Sequence, residues 1–152
     1  MALPNIFTKD VSDHVIARIN ALKPDTQPGW GKMDVAQMLA HCCVAYEMTF
    51  EDNHPKPNFL MKWILKTFIK NGVTSETPYK RNAQTAPAFL IKGSRDFETE
   101  KRRLIGYIRK THELGEAGFE GRASHSFGVL TIPEWNNMFY KHVDHHLNQF
   151  GV

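Results

Sequence analysis

His142 and His146 stand four positions apart near the end of the chain. At about 100° per residue on a helix, the two rings lie about 40° apart. They share a sector with Trp135, Phe139, Val143 and Phe150, while Asn137, Tyr140, Lys141, Asp144 and Asn148 fall opposite. Two imidazoles one turn apart on a buried stripe can point at one metal ion. As plain packing residues each would need its own buried hydrogen-bond partner. Metal ligation is therefore the preferred reading of the pair.

Two ligands do not complete a site, since zinc takes at least three from protein and leaves the fourth position open where it does chemistry. The metalloprotease helix motif is excluded, because Val143 stands where that motif places its Glu. His41 is the candidate third ligand. Periodicity puts it beside the apolar face of its helix, near Met38, Ala45 and Met48, where a boundary histidine is as good a reading as a ligand. Cys42 points about 100° away from His41, so the two are not expected to chelate one metal. Cys42 and Cys43 read as small core residues. His145 is the alternative ligand for a rotated last helix. His125, in the loop before that helix, reads either as an outer ligand or acid–base group at the bundle mouth or, preferably, as a surface histidine. His14, His54 and His112 have no partner pattern and read as solvated or structural.

The elements that must position these residues are helical. Thr131 and Glu134 form the pattern of a capping box, Pro133 suits the first turn, and Gly151 is a usual stop. A first helix is predicted from Thr8 or Asp10 to about Leu22, with Val11, Val15, Ile19 and Leu22 on one stripe. A second starts near Asp34, ends near Phe50, and carries Val35, Met38, Leu39, Cys42 and Tyr46 inward. A third reads from about Phe59 to Lys70 and is ended by Asn71-Gly72; a fourth is capped by Ser94 and runs to about Glu113. Between them, residues 73–93 carry Pro78 and Pro87 and little periodicity, a length usual for a lid or binding segment. Residues 115–128 read as a Gly-rich loop. The expected fold is all-α: a four-helix bundle with one extra short helix and a long connection covering one end, in a single domain over 1–152.

Composition narrows the function classes. A net charge of +3 over 152 residues, with no basic block interleaved with aromatics, argues against nucleic acid. Two adjacent cysteines and no pattern of a secretion signal at the start fit a cytoplasmic setting. No apolar run is long enough to span a bilayer. The stretch 59–70 is strongly apolar, with Lys62, Lys66 and Lys70 on one line. Such a helix can lie on an anionic membrane surface, although a bundle or dimer helix with a solvated lysine edge is the plainer reading. If its apolar surface exceeds what one bundle buries, a homodimer is the expected outcome.

The run from Gly31 to His41 resembles the start of the second helix in the DinB/YfiT-like superfamily. The ending from Lys141 to Gly151, with Phe127, Gly128 and Trp135 before it, is similar to one uncharacterised bacterial branch of that superfamily. The similarity covers both ends of the chain and is poor over 51–93. It implies a four-helix bundle holding a divalent metal through three histidines, here His41, His142 and His146. Some members of the superfamily are thiol-dependent transferases and one is an isomerase using low-molecular-weight thiols. Many other members have no known activity, so the resemblance carries over only the metal; three neutral imidazoles leave the ion's charge on its open positions, and from that chemistry the expectation is a metal-dependent enzyme that activates a thiol or water against a small electrophilic substrate. The competing readings are a non-catalytic metal-binding or structural bundle, and a protein of the membrane surface. Imidazole ligation does not choose among Zn, Ni, Fe and Cu.

Overall fold

A computed structural model describes residues 2–152. Four long helices make the body: α1 (Lys9–Ala21), α2 (Val35–Phe50), α5 (Phe97–Leu114) and α6 (Ile132–Gln149). Helices α1 and α2 each pack against both α5 and α6, so the bundle has the spatial order α1–α5–α2–α6. The helix starts follow local chemistry. Asp34 accepts from the Gln37 amide at 2.8 Å while Gln37 Oε1 accepts from the Asp34 amide at 3.1 Å. Thr131 and Glu134 form the same reciprocal box at the head of α6. Each box satisfies two backbone donors that a helix start leaves open. Helix α5 is capped by Asp96, whose carboxylate accepts from the Thr99 amide, and not by the predicted Ser94.

The core is one cluster running from Ile6 to Phe150. Its centre is an aromatic column: Tyr46 stacks on Phe139 with centroids 4.6 Å apart, and Trp135 and Phe119 extend it. Helix α2 lies against both α5 and α6 and is buried on nearly every side, so its apolar stripe is wider than a single face. Cys42 and Cys43 sit in this core as free thiols, and burial pushes both up, Cys43 to about 12. They are packing residues.

The remaining helical segment departs from its predicted form. It comprises α3 (Phe59–Ile64), a π turn (Leu65–Ile69) and α4 (Lys70–Thr74). Asn71-Gly72 does not end it, because Gly72 keeps a right-handed conformation and the helix continues to Thr74. Helix α4 docks on α6, through Lys70 to Glu134 at 2.7 Å and Asn137 Nδ2 to the Thr74 carbonyl at 2.9 Å. This explains why Asn137 and Lys141, on the supposed outer side of α6, are buried. Lys141 Nζ donates to the carbonyls of Gly72, Ser75 and Thr77 at 2.9, 2.6 and 3.1 Å. Three donors meet three acceptors, which pins the root of the long connection to α6. That connection carries one 3₁₀ turn (Pro87–Phe89) and crosses the end of the bundle where His41 and His142 lie. The Gly-rich loop also holds a two-residue hairpin, β1 (Ala123–Ser124) against β2 (Gly128–Val129). Among the described residues no helix is long and apolar enough to cross a membrane.

Candidate metal centre

His41 projects from α2, and His142 and His146 project from α6 one turn apart. The fold brings the three together, with one ring nitrogen of each lying within 4.8 Å of the other two. His41 Nε2 and His142 Nε2 are 3.0 Å apart. Ligands held at the usual zinc–nitrogen distance in a tetrahedron stand about 3.3 Å from each other, so this pair is already near that spacing. Among the described residues, no Asp, Glu or Cys joins the cluster.

The hydrogen bonds behind the rings decide which nitrogens face inward. His41 Nδ1 lies 2.8 Å from the Phe89 carbonyl. A carbonyl only accepts, so Nδ1 carries the proton and Nε2 presents a lone pair. His146 Nδ1 lies 2.7 Å from Gln149 Oε1. The orientation of that amide is set by its other end, where Gln149 Nε2 donates to the Trp30 carbonyl at 2.6 Å. His146 Nδ1 is therefore the donor and its Nε2 is bare. Such partners behind a ligating histidine fix its tautomer and raise its basicity.

Gln149 is itself held by a turn. The Gly29 amide donates to the Gln149 carbonyl at 2.7 Å, and Gly31 adopts a left-handed φ of +83°. A Cβ on Gly31 would stand 2.5 Å from Gln149 Nε2, so only glycine lets the turn approach the amide this closely.

Burial keeps the rings neutral. Removal from water lowers His41, lowers His142 well below the ordinary histidine range, and brings His146 to about 3; neighbouring imidazoles push the same way. Neutral imidazole is the form that binds metal. The connection 73–93 covers the cluster: the Phe89 ring meets His41 and His142 at 5.5 and 5.7 Å, and Tyr79 meets His142 at 6.4 Å.

His145 lies outside the three-nitrogen cluster. Its ring contacts His146, Tyr79 and Trp30, and it lines a shallow cleft of about 210 Å³ with Arg81, Lys141 and Asp144. The Asp144 charge is paired with Arg18 at 2.6 Å. His125 is set at the other end of α2, in a second cleft with Thr49 and Phe50, bonded to Ser126 Oγ. Nine residues of helix, about 13 Å, separate that level of α2 from His41. His54 pairs with Glu47 at 2.6 Å and His112 with the Phe7 carbonyl at 2.9 Å, so both are structural. The Phe89 carbonyl, Tyr79 and Lys141 carry no residue-type signal that would have marked them. Gln149 carried a faint one, as the amide of α6 nearest the histidine face.

The profile of a family described as a protein of unknown function (DUF1569) matches residues 6–151. No curated protein and no solved structure matches the chain.

Proposed function

The chain belongs to the DUF1569 family, and from the histidine geometry we propose that it is a metal-dependent enzyme whose divalent ion is held by His41, His142 and His146. The observation that carries this reading is the pair of outward-anchored, inward-bare imidazoles, His41 and His146, meeting His142 at ligand spacing. Without metal, His142 Nε2 can donate to the His41 Nε2 lone pair, whereas no hydrogen bond among the described residues meets the Nε2 lone pair of the buried His146. The resemblance of both chain ends to the DinB/YfiT-like superfamily supports the same three ligands.

A divalent ion there would supply a Lewis-acidic position at which a thiol or water loses its proton near neutral pH. The protein's own contributions follow from the contacts. Three neutral ligands leave the full ionic charge to act on whatever else binds. Phe89 and Tyr79 keep bulk water from the cluster, which strengthens electrostatic interactions inside. His145 lines the cleft with its ring 5.1 Å from that of His146, and is the side chain to which we assign proton exchange with solvent. The substrate we infer is a small electrophile admitted when the 73–93 connection moves aside, with a low-molecular-weight thiol as the second reactant.

Loading the protein with Co²⁺ and titrating it with a low-molecular-weight thiol tests this directly. A sulfur-to-cobalt absorption band appearing with saturable dependence on thiol is expected. A cobalt spectrum indifferent to thiol and to added anions would indicate a closed coordination shell and favour the structural metal-binding alternative.

A further inference from the structure

We propose that the segment 59–74 docks this protein on an anionic lipid surface. The inference stands apart from the metal centre and rests on the part of the chain that the bundle leaves uncovered. Phe59, Leu60, Trp63 and Phe68 are 89%, 64%, 54% and 68% exposed, and Met61 and Ile69 are exposed beside them. Helix α3 buries no residue at all. It is not a bundle helix with a solvated lysine edge: the segment is tied down by Leu65 against the core and at the α4 end by Lys70 to Glu134 and the Lys141 clamp, which leaves Phe59, Leu60, Trp63 and Phe68 outside. Single exposed apolar residues are ordinary, but six in one short segment mark an interaction surface.

The π turn sharpens this. Residues five apart on an α-helix point about 140° away from each other. The wider π turn at Leu65–Ile69 swings Phe68 back beside Trp63, with ring centroids 6.2 Å apart, edge to face. Both rings remain exposed, so the turn builds an aromatic pair that nothing inside the molecule uses. Such turns are frequent at functional sites.

Charge selects the occupant. Between Asp52 and Glu76 every ionisable carboxylate is absent, and the cations are Lys56, Lys62, Lys66 and Lys70. Lys70 and Lys56 have acidic neighbours, Glu134 and Asp52. Lys62 and Lys66 are exposed, and among the described residues neither forms an ion pair with a carboxylate. A second copy of the chain docked through a twofold axis would set this patch on itself and bring lysine toward lysine, which disfavours association. An anionic bilayer answers both features at once. Its acyl boundary accepts Phe59, Leu60, Trp63 and Phe68, and its phosphates accept the two lysines. The aromatic residues suit the headgroup level. The segment lies in the interface, since no described helix is long and apolar enough to cross.

Co-sedimentation of the purified protein with phosphatidylglycerol-containing vesicles, against pure phosphatidylcholine vesicles, is the test. At low salt the protein is expected to pellet with the anionic vesicles, with affinity about tenfold or more above that for the neutral ones, and to be released as salt rises. The double variant Leu60→Glu, Phe68→Glu, altered only at exposed positions and checked for native circular dichroism, is expected to stay in solution. Lys62→Glu with Lys66→Glu is expected to abolish the preference for anionic lipid. A wild type that remains in the supernatant at low salt overturns the proposal. So does sedimentation velocity showing a dimer that the double variant dissolves, with no vesicle binding.

Discussion

Gln149 is the residue on which the metal reading leans most without being a ligand. Its Oε1 accepts a hydrogen bond from His146 Nδ1, its Nε2 donates to the Trp30 carbonyl, and a Cβ at Gly31 would crowd that Nε2. Gln149→Ala is expected to weaken metal binding about 10- to 100-fold, the usual loss when the partner behind a ligating histidine is removed. Equilibrium dialysis against a metal-buffered solution measures it. An unchanged affinity, with His146 still folded in place, would show that the amide does not orient the ring. At this scale the sequence was partly legible. Spacing alone put His142 and His146 on one buried face. It left His41 at a boundary, because one helix's periodicity says nothing of which neighbour its edge will meet. The Phe89 carbonyl was illegible, since every residue carries one.

Among the elements, α6 and the connection it anchors decide access to the cluster. Lys141 closes three carbonyls of 72–77 onto α6, and from that root the chain passes over the histidines as Tyr79 and Phe89. Burial lowers the lysine to about 8, so the three bonds hold an ammonium only partly compensated. Lys141→Met keeps the stem's packing and removes the donors. It is expected to cost about 1–3 kcal/mol of stability and to speed amide hydrogen exchange across 74–79 while leaving α1 and α5 protected. Uniform loss of protection, or none, would contradict the clamp. The capping boxes at Asp34 and Thr131 and the extent of α2 and α6 could be read from the chain, because their signals are local. The course of α3 and α4 could not. Gly72 looks like a stop only if the chain turns there, and docking of α4 on α6 carries the helix past it. The same docking buries Asn137 and Lys141, which a single-face helix would leave in water.

At the scale of the whole molecule the histidine cluster, the second cleft and the exposed aromatic segment are distinct features of the bundle. The histidine cluster lies under the long connection at one end. His125 and the second cleft lie at the other end of α2. The exposed aromatic segment adjoins that second cleft, which Lys62 also lines, and shares no buried residue with the cluster. The all-α class followed from periodicity over most of the chain, because four amphipathic helices can bury their stripes only against each other. The spatial order of the helices and the closure of 73–93 over the site rest on contacts between distant residues, which no local pattern encodes.

His41, His142 and His146 are proposed to hold one divalent ion. Metal content of the purified protein, with calorimetric titration of the metal-stripped protein by Zn²⁺, Ni²⁺ and Fe²⁺, tests this most directly. One ion per chain, a melting temperature that rises on metal addition, and loss of both in His41→Ala, His142→Ala and His146→Ala are expected. A folded wild type that binds none of the three ions and melts at the same temperature with and without them would contradict it.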